Sequence, residues 1–148
     1  MPVSSTETAR QVLEVVPAVM RTVRAQMRQS ASLNLSVPQF RALNFVDRNR
    51  GASLSEVAEH IGLTLPSMSK LIDGLVERKL VIRQSHADDR RRITLGLTAR
   101  GCTVLQSARA SAQASLAERM STITESERAI VVHAMQILHP LFVRQRNG

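Results

Sequence analysis

Three consecutive arginines, Arg90, Arg91 and Arg92, follow the acidic pair Asp88-Asp89 in the middle of the chain. A run of guanidinium groups is suited to phosphate oxygens, and an arginine on a projecting loop can enter a narrow minor groove. A second group lies about twenty residues upstream: Thr64, Leu65, Pro66, Ser67, Ser69 and Lys70. Hydroxyls there can donate to or accept from base edges. Leu65 or Pro66 could meet a thymine methyl, and Lys70 could reach a phosphate or a guanine. Each of these side chains could equally be an ordinary solvated surface group, and a run of charge is often only a solvated loop.

Enzyme chemistry finds little support. His60, His86, His133 and His139 show no metal-ligand spacing, and the last two, six apart on one helix, face different sides. No nucleophile elbow, Ser-His-Asp order or phosphate-cradling glycine loop occurs. The sequence predicts neither an enzyme nor a cofactor. Cys102, the one cysteine, cannot form a disulfide within the chain. Near a helix start it could act as a redox thiol, giving a thiol-responsive regulator as one alternative; a small buried cysteine is the other reading.

The elements that must position these groups announce themselves by their caps. Ser4 with Glu7, Ser36 with Gln39, Ser53 with Glu56 and Thr124 with Glu127 have capping-box spacing, in which each side chain satisfies an orphan backbone N–H. Thr64 and Thr98 fit simple N-caps. Apolar periodicity then predicts helices over 6–32 (stripe Val12, Leu13, Val16, Val19, Val23, Met27, with a bend at Pro17), 37–47, 54–60, 65–78, 99–120 and 125–144. Pro140 falls late in the last and should kink or fray it. Between the fourth and fifth helices the period changes. Leu80-Val81-Ile82 reads as one strand. In a second, Ile93, Leu95 and Leu97 point inward while Arg92, Thr94 and Gly96 point outward. The fold class is therefore mainly α with a small β wing.

Residues 54–75 resemble a helix-turn-helix. Val57, Ile61, Leu63, Met68 and Leu71 fall where two short helices must bury apolar groups. Ala58 falls at their close crossing, and Gly62 falls in the turn, where positive φ is needed. Thr64 caps the second helix, and Pro66 sits in its first turn. A hairpin with a basic tip directly afterwards gives the winged-helix order.

Composition agrees. The 148 residues carry a net charge of +8, with 18 arginines among 20 basic residues, which raises the expectation of a phosphate-rich partner. No Trp or Tyr and only three Phe are present, leaving few aromatic platforms for stacking single strands and favouring duplex DNA. No apolar run is long enough for a membrane span, the N-terminus lacks signal-peptide character, and a cytoplasmic setting is expected. Stripes on the first helix, the fifth (Val104, Leu105, Ala108, Ala112, Leu116) and the sixth (Ile130, Ala134, Ile137, Leu141) exceed what a small winged lobe can cover, predicting a homodimer.

These residues are similar to the multiple-antibiotic-resistance regulator (MarR) family. The match runs over 35–101: Leu-Ser-Val-Pro-Gln-Phe-Arg-Ala-Leu (35–43), Gly-Ala-Ser-Leu-Ser-Glu-Val-Ala (51–58), Leu-Ile-Asp-Gly-Leu (71–75), Asp-Asp-Arg-Arg (88–91) and Leu-Gly-Leu-Thr-Ala-Arg-Gly (95–101). An Asp-x-Arg wing motif falls on Asp89 and Arg91. The resemblance implies one domain over 1–148, with a winged helix-turn-helix lobe at 34–98 and dimerisation helices at 5–32 and 99–146. It implies a ligand-responsive repressor bound as a homodimer to a palindromic operator in double-stranded DNA, with a phenolic or lipophilic anion as effector. The effector pocket would draw on the first, second and fifth helices, with Met20, Arg24, Phe40 and Arg41 as candidates. The resemblance also suggests that a wing arginine, with Arg91 as candidate, pairs with Asp73 to hold the hairpin against the recognition helix; Asp89 would fix the tip. A winged helix that binds protein rather than DNA is the remaining alternative. The sequence departs from the family at Lys79, where a helix-ending glycine is usual, and at His86 and Ala87 in the wing.

Overall fold

The computed structural model describes residues 1–29, 34–86, 88 and 93–143. Its elements are α1 (Ser5–Gln29), α2 (Val37–Arg48), α3 (Leu54–Ile61), α4 (Leu65–Glu77), β1 (Val81–Ser85), β2 (Ile93–Leu97), α5 (Ala99–Met120) and α6 (Glu125–Phe142). The expected end of the first helix at Ser32, the end of the last at Arg144, and Asp89, Arg90, Arg91 and Arg92 lie outside the described residues. Helix α1 continues through Pro17, and α6 ends two residues after Pro140.

Local chemistry sets the helix starts. Full capping boxes form at Ser36/Gln39, Ser53/Glu56 and Thr124/Glu127. At Ser4 only the first half is seen: its hydroxyl accepts the Glu7 N–H at 3.1 Å, while the Glu7 carboxylate accepts from Arg10 and Gln11. That carboxylate is held below its usual range, chiefly by Arg10 and then by Gln11.

The core gathers Leu43 and Val46 of α2, Val57 of α3, Met68, Ile72 and Leu75 of α4, Leu80, Val81 and Leu95 of the hairpin, and Leu105 and Ala108 of α5. Val23 and Met27 close it from α1. Of the α5 stripe, Leu105, Ala108 and Ala112 are buried within the chain itself, where α1 and α2 pack along α5. Helix α6 differs. It buries none of its residues, and Ile130, Ile137, Leu141 and Phe142 stand 55–74% exposed.

Candidate nucleic-acid interface

The turn between α3 and α4 is fixed by backbone geometry. Gly62 adopts φ +81°, and the N–H groups of Gly62 and Leu63 both donate to the carbonyl of Ala58, closing α3. Thr64 starts α4, accepting the Ser67 N–H at 3.3 Å and donating to the Ser67 hydroxyl at 3.0 Å. Of the expected packing residues, Val57, Ala58 and Met68 are buried, and Ile61 and Leu71 are half-buried. Leu63 instead emerges in the turn at 37% exposure, and Ile72, one residue beyond the expected Leu71, fills the core.

With 3.6 residues per turn, the buried side of α4 (Met68, Ile72, Leu75) places Pro66, Ser67, Lys70 and Asp73 on the opposite, outward side. Leu65 is 50% exposed at the helix start, while Ser69 lies at the edge of the outward stripe and is half-buried. The Ser67 hydroxyl, exposed beside the cap, retains hydrogen-bonding capacity for a group outside the helix.

The hairpin pairs antiparallel, from Val81↔Leu97 to Ser85↔Ile93. The expected alternation in β2 fails at two positions: Thr94 is buried at 2% exposure, and Ile93 is exposed at 43%. The cause is non-local. Residues 52 and 53 come alongside β2 through an isolated bridge, with the Leu95 N–H donating to the Ala52 carbonyl at 2.8 Å and Ser53 bridging Thr94. The Thr94 hydroxyl lies 3.1 Å from His86 Nε2, so its polarity is satisfied.

Arg83, a residue that sequence reasoning passed over, ties hairpin to helix. Its guanidinium pairs with the Asp73 carboxylate on α4, which makes Arg83 the partner of Asp73 among the described residues. Arg83 shares the strand face of Val81 and Ser85, and a basic residue on that face, one strand away from an acidic helix position, was the available signal.

At the far end of α4 the chain turns through Lys79 at φ +60°. The Lys79 N–H donates to Val76 O and the Leu80 N–H to Leu75 O, the two bonds of a Schellman cap, with a lysine in the left-handed position that favours glycine. Thr98 then binds both neighbours. Its N–H donates to Leu80 O at 3.1 Å and its hydroxyl to Lys79 O at 2.6 Å. Gly101 follows so closely that a Cβ would stand 2.1 Å from Leu80 O.

The four candidate effector residues lie on α1 and α2. Met20 and Phe40 are half-buried, Arg24 is exposed, and Arg41 Nη2 donates to the His60 carbonyl of α3 at 3.4 Å. A cleft of about 470 Å³ lies instead between α1 and α5, lined by Thr22, Gln26, Gln29, Ser115, Glu118 and Arg119 among others, and by none of those four. His60 stacks on Phe45 with centroids 4.5 Å apart; burial, and then the charge of Arg41, lower its pKa from 6.5. Cys102 is half-buried at the start of α5. Among the described residues no group of His, Cys, Asp and Glu could hold a metal ion, and no helix is long and apolar enough to cross a membrane.

Comparison with known proteins places this geometry. The MarR family profile matches residues 33–92. An uncharacterized HTH-type transcriptional regulator of Mycobacterium bovis is 28% identical over 130 residues, 88% of this chain and 91% of the relative. The HTH-type transcriptional repressor Rv2887 of Mycobacterium tuberculosis is 27% identical over 65% of this chain and 69% of its own. The crystal structure of this MarR family protein in complex with p-aminosalicylic acid superposes with a TM-score of 0.72 at 22% identity, covering 88% of this chain and 96% of that one. The crystal structure of RV1404 from Mycobacterium tuberculosis gives a TM-score of 0.81 at 20% identity over 99% and 100%.

Proposed function

We propose that this chain, which belongs to the MarR family of winged helix-turn-helix, DNA-binding transcription regulators, is a ligand-responsive repressor that grips a palindromic operator as a homodimer. The observation that carries the reading is the outward stripe of α4. Pro66, Ser67, Lys70 and Asp73 project from a helix whose other side is locked in the core and whose start is capped by Thr64. Such a helix can enter the major groove as a rigid body, with Leu65, Ser67 and Ser69 at base edges and Lys70 at a phosphate or guanine. Arg90, Arg91 and Arg92 then serve the adjacent minor groove, and Asp89 sets the tip. The protein works where its operator lies, in the cytoplasm.

The homodimer is supported by α6, which has no buried residue and carries a ladder of exposed aliphatic side chains unsuited to water. Residues 34–98 form the DNA-binding lobe, and 5–32 with 99–146 the dimerisation helices. The effector is an aromatic carboxylate or phenolic anion. The Rv2887 complex with p-aminosalicylic acid supports that class, and Arg24 and Arg41 are exposed cations that could meet such an anion.

Selection of bound sites from random duplex DNA tests the proposal. An enriched inverted repeat, released by salicylate and less readily so in Arg24→Ala, is the expected result. Enrichment of a single asymmetric half-site would overturn the dimeric reading. Binding that does not weaken steeply with salt would overturn the phosphate contacts.

A further inference from the structure

Helix α5 meets the DNA-binding lobe at two places of different character. The first is rigid: Gly101 presses on the carbonyl of Leu80, and Thr98 bonds Leu80 and Lys79. The second is polar and partly open. Arg109 of α5 donates from Nε to Asn44 Oδ1 at 2.9 Å and from Nη2 to both Asn44 Oδ1 and the Asp47 carboxylate of α2, the latter at 3.1 Å. Asn44 and Asp47, three apart on α2, present their acceptors on one face. Between the two places lie apolar contacts of Leu43, Leu105 and Ala108, which are non-directional and resist sliding weakly.

From residue 101 to 109 a helix advances about 12 Å. A body held at one point can pivot, and a second point about 12 Å away fixes its angle; a slip of 1 Å there tilts it by about 5°. We infer that Arg109 is the positioning residue that sets the angle of each DNA-binding lobe on α5, and thereby the half-site spacing that the dimer accepts. The fork geometry of the guanidinium suits it to this task, because two directional bonds from one plane define an orientation that an ammonium would leave free. The Arg109 and Asp47 side chains are about one-third exposed, at 32% and 38%, so the clamp is reachable from solvent and can open without unfolding the core. This inference rests on the homodimer reading.

The test measures affinity for a series of operators whose half-sites are moved together or apart by one or two base pairs. Light scattering and helix content are recorded for every variant. Wild type is expected to prefer one spacing by roughly tenfold or more. In Arg109→Ala the preference should collapse to within about threefold while the dimer and the single half-site affinity persist. Asn44→Leu, which removes the shared acceptor from the other side at similar volume, should give the same flattening, and Arg109→Lys should restore only part of the preference. An equal loss at every spacing, or an unchanged profile in both Arg109→Ala and Asn44→Leu, overturns the role of Arg109 and leaves the dimer standing. A wild-type chain that is monomeric, or indifferent to spacing, overturns both together.

Discussion

Replacing Gly101 by Ala should loosen the joint between α5 and the lobe. The added Cβ would lie 2.1 Å from Leu80 O and 3.0 Å from Leu80 C, so one of the two backbones must retreat by roughly 1 Å. Leu80 is poorly placed to do so. Its side chain is 1% exposed, its N–H is bonded to Leu75 O, and its carbonyl accepts from Thr98. The start of α5 must therefore move and surrender the Thr98 N–H bond. Overpacking of this kind costs about 1–3 kcal/mol, and the lost hydrogen bond adds ~0.5–1.5. The better helix propensity of alanine returns ~0.5–1. The net is about 2 kcal/mol, or a fall in Tm of about 4–8 °C for a chain of this size. Circular-dichroism melts at one fixed protein concentration measure it, because dimerisation would couple Tm to concentration. Gly74→Ala is the internal control: a Cβ there meets nothing within 4 Å, so that variant should melt slightly above wild type. A Gly101→Ala protein that melts at or above the wild-type temperature would refute the close approach.

Other perturbations follow the same logic. Lys79→Gly relieves a left-handed lysine and should stabilise by ~1 kcal/mol in urea unfolding with an unchanged m-value, whereas destabilisation would mean that the Lys79 side chain has a compensating contact. The Asp73–Arg83 pair is largely solvent-accessible, so a double-mutant cycle on stability should give a coupling of at most ~1 kcal/mol; additive effects would show the pair to be inconsequential in solution. His60 holds its proton less tightly when folded than the ordinary 6.5, so the unfolded chain takes up that proton first. Stability from this group is present above pH 6.5 and is lost as pH falls through that value toward the folded pKa. Tm should drop more between pH 7.5 and 5.5 in wild type than in His60→Gln, and parallel curves would contradict the assignment.

What the sequence made legible is what local chemistry decides. The six helix starts are written in Ser36, Ser53, Thr64, Thr98, Thr124 and, in half-formed fashion, Ser4, because a cap is an interaction across three residues. The left-handed turn was foreshadowed by Lys79 standing where a glycine is usual. The larger failures are non-local. Nothing near Thr94 announces that residues 52 and 53 will come alongside and bury it, turning an expected outward position inward. The α5 stripe looked surplus because periodicity gives a helix its length and face but not its neighbours, here α1 and α2. Asp73 is followed by four basic strand or tip residues, Arg83, Arg90, Arg91 and Arg92, and the register of β1 brings Arg83 to it. The side chains that would read bases were legible as a set. Their order of prominence, with Ser69 half-covered and Asp73 outward, required the packing of Met68 and Ile72.

Tethered DNA cleavage from α4 shows whether this helix lies in the groove. In a Cys102→Ser background, Ser67→Cys carries a cleavage reagent, and the protein is bound to its selected operator. Two cleavage centres in the major groove are expected, related by the operator dyad and about one helical turn or a whole multiple of it apart. A single centre, cleavage confined to the minor groove, or no cleavage on operator that the protein demonstrably protects would contradict the reading of α4 as the recognition helix of a symmetric dimer.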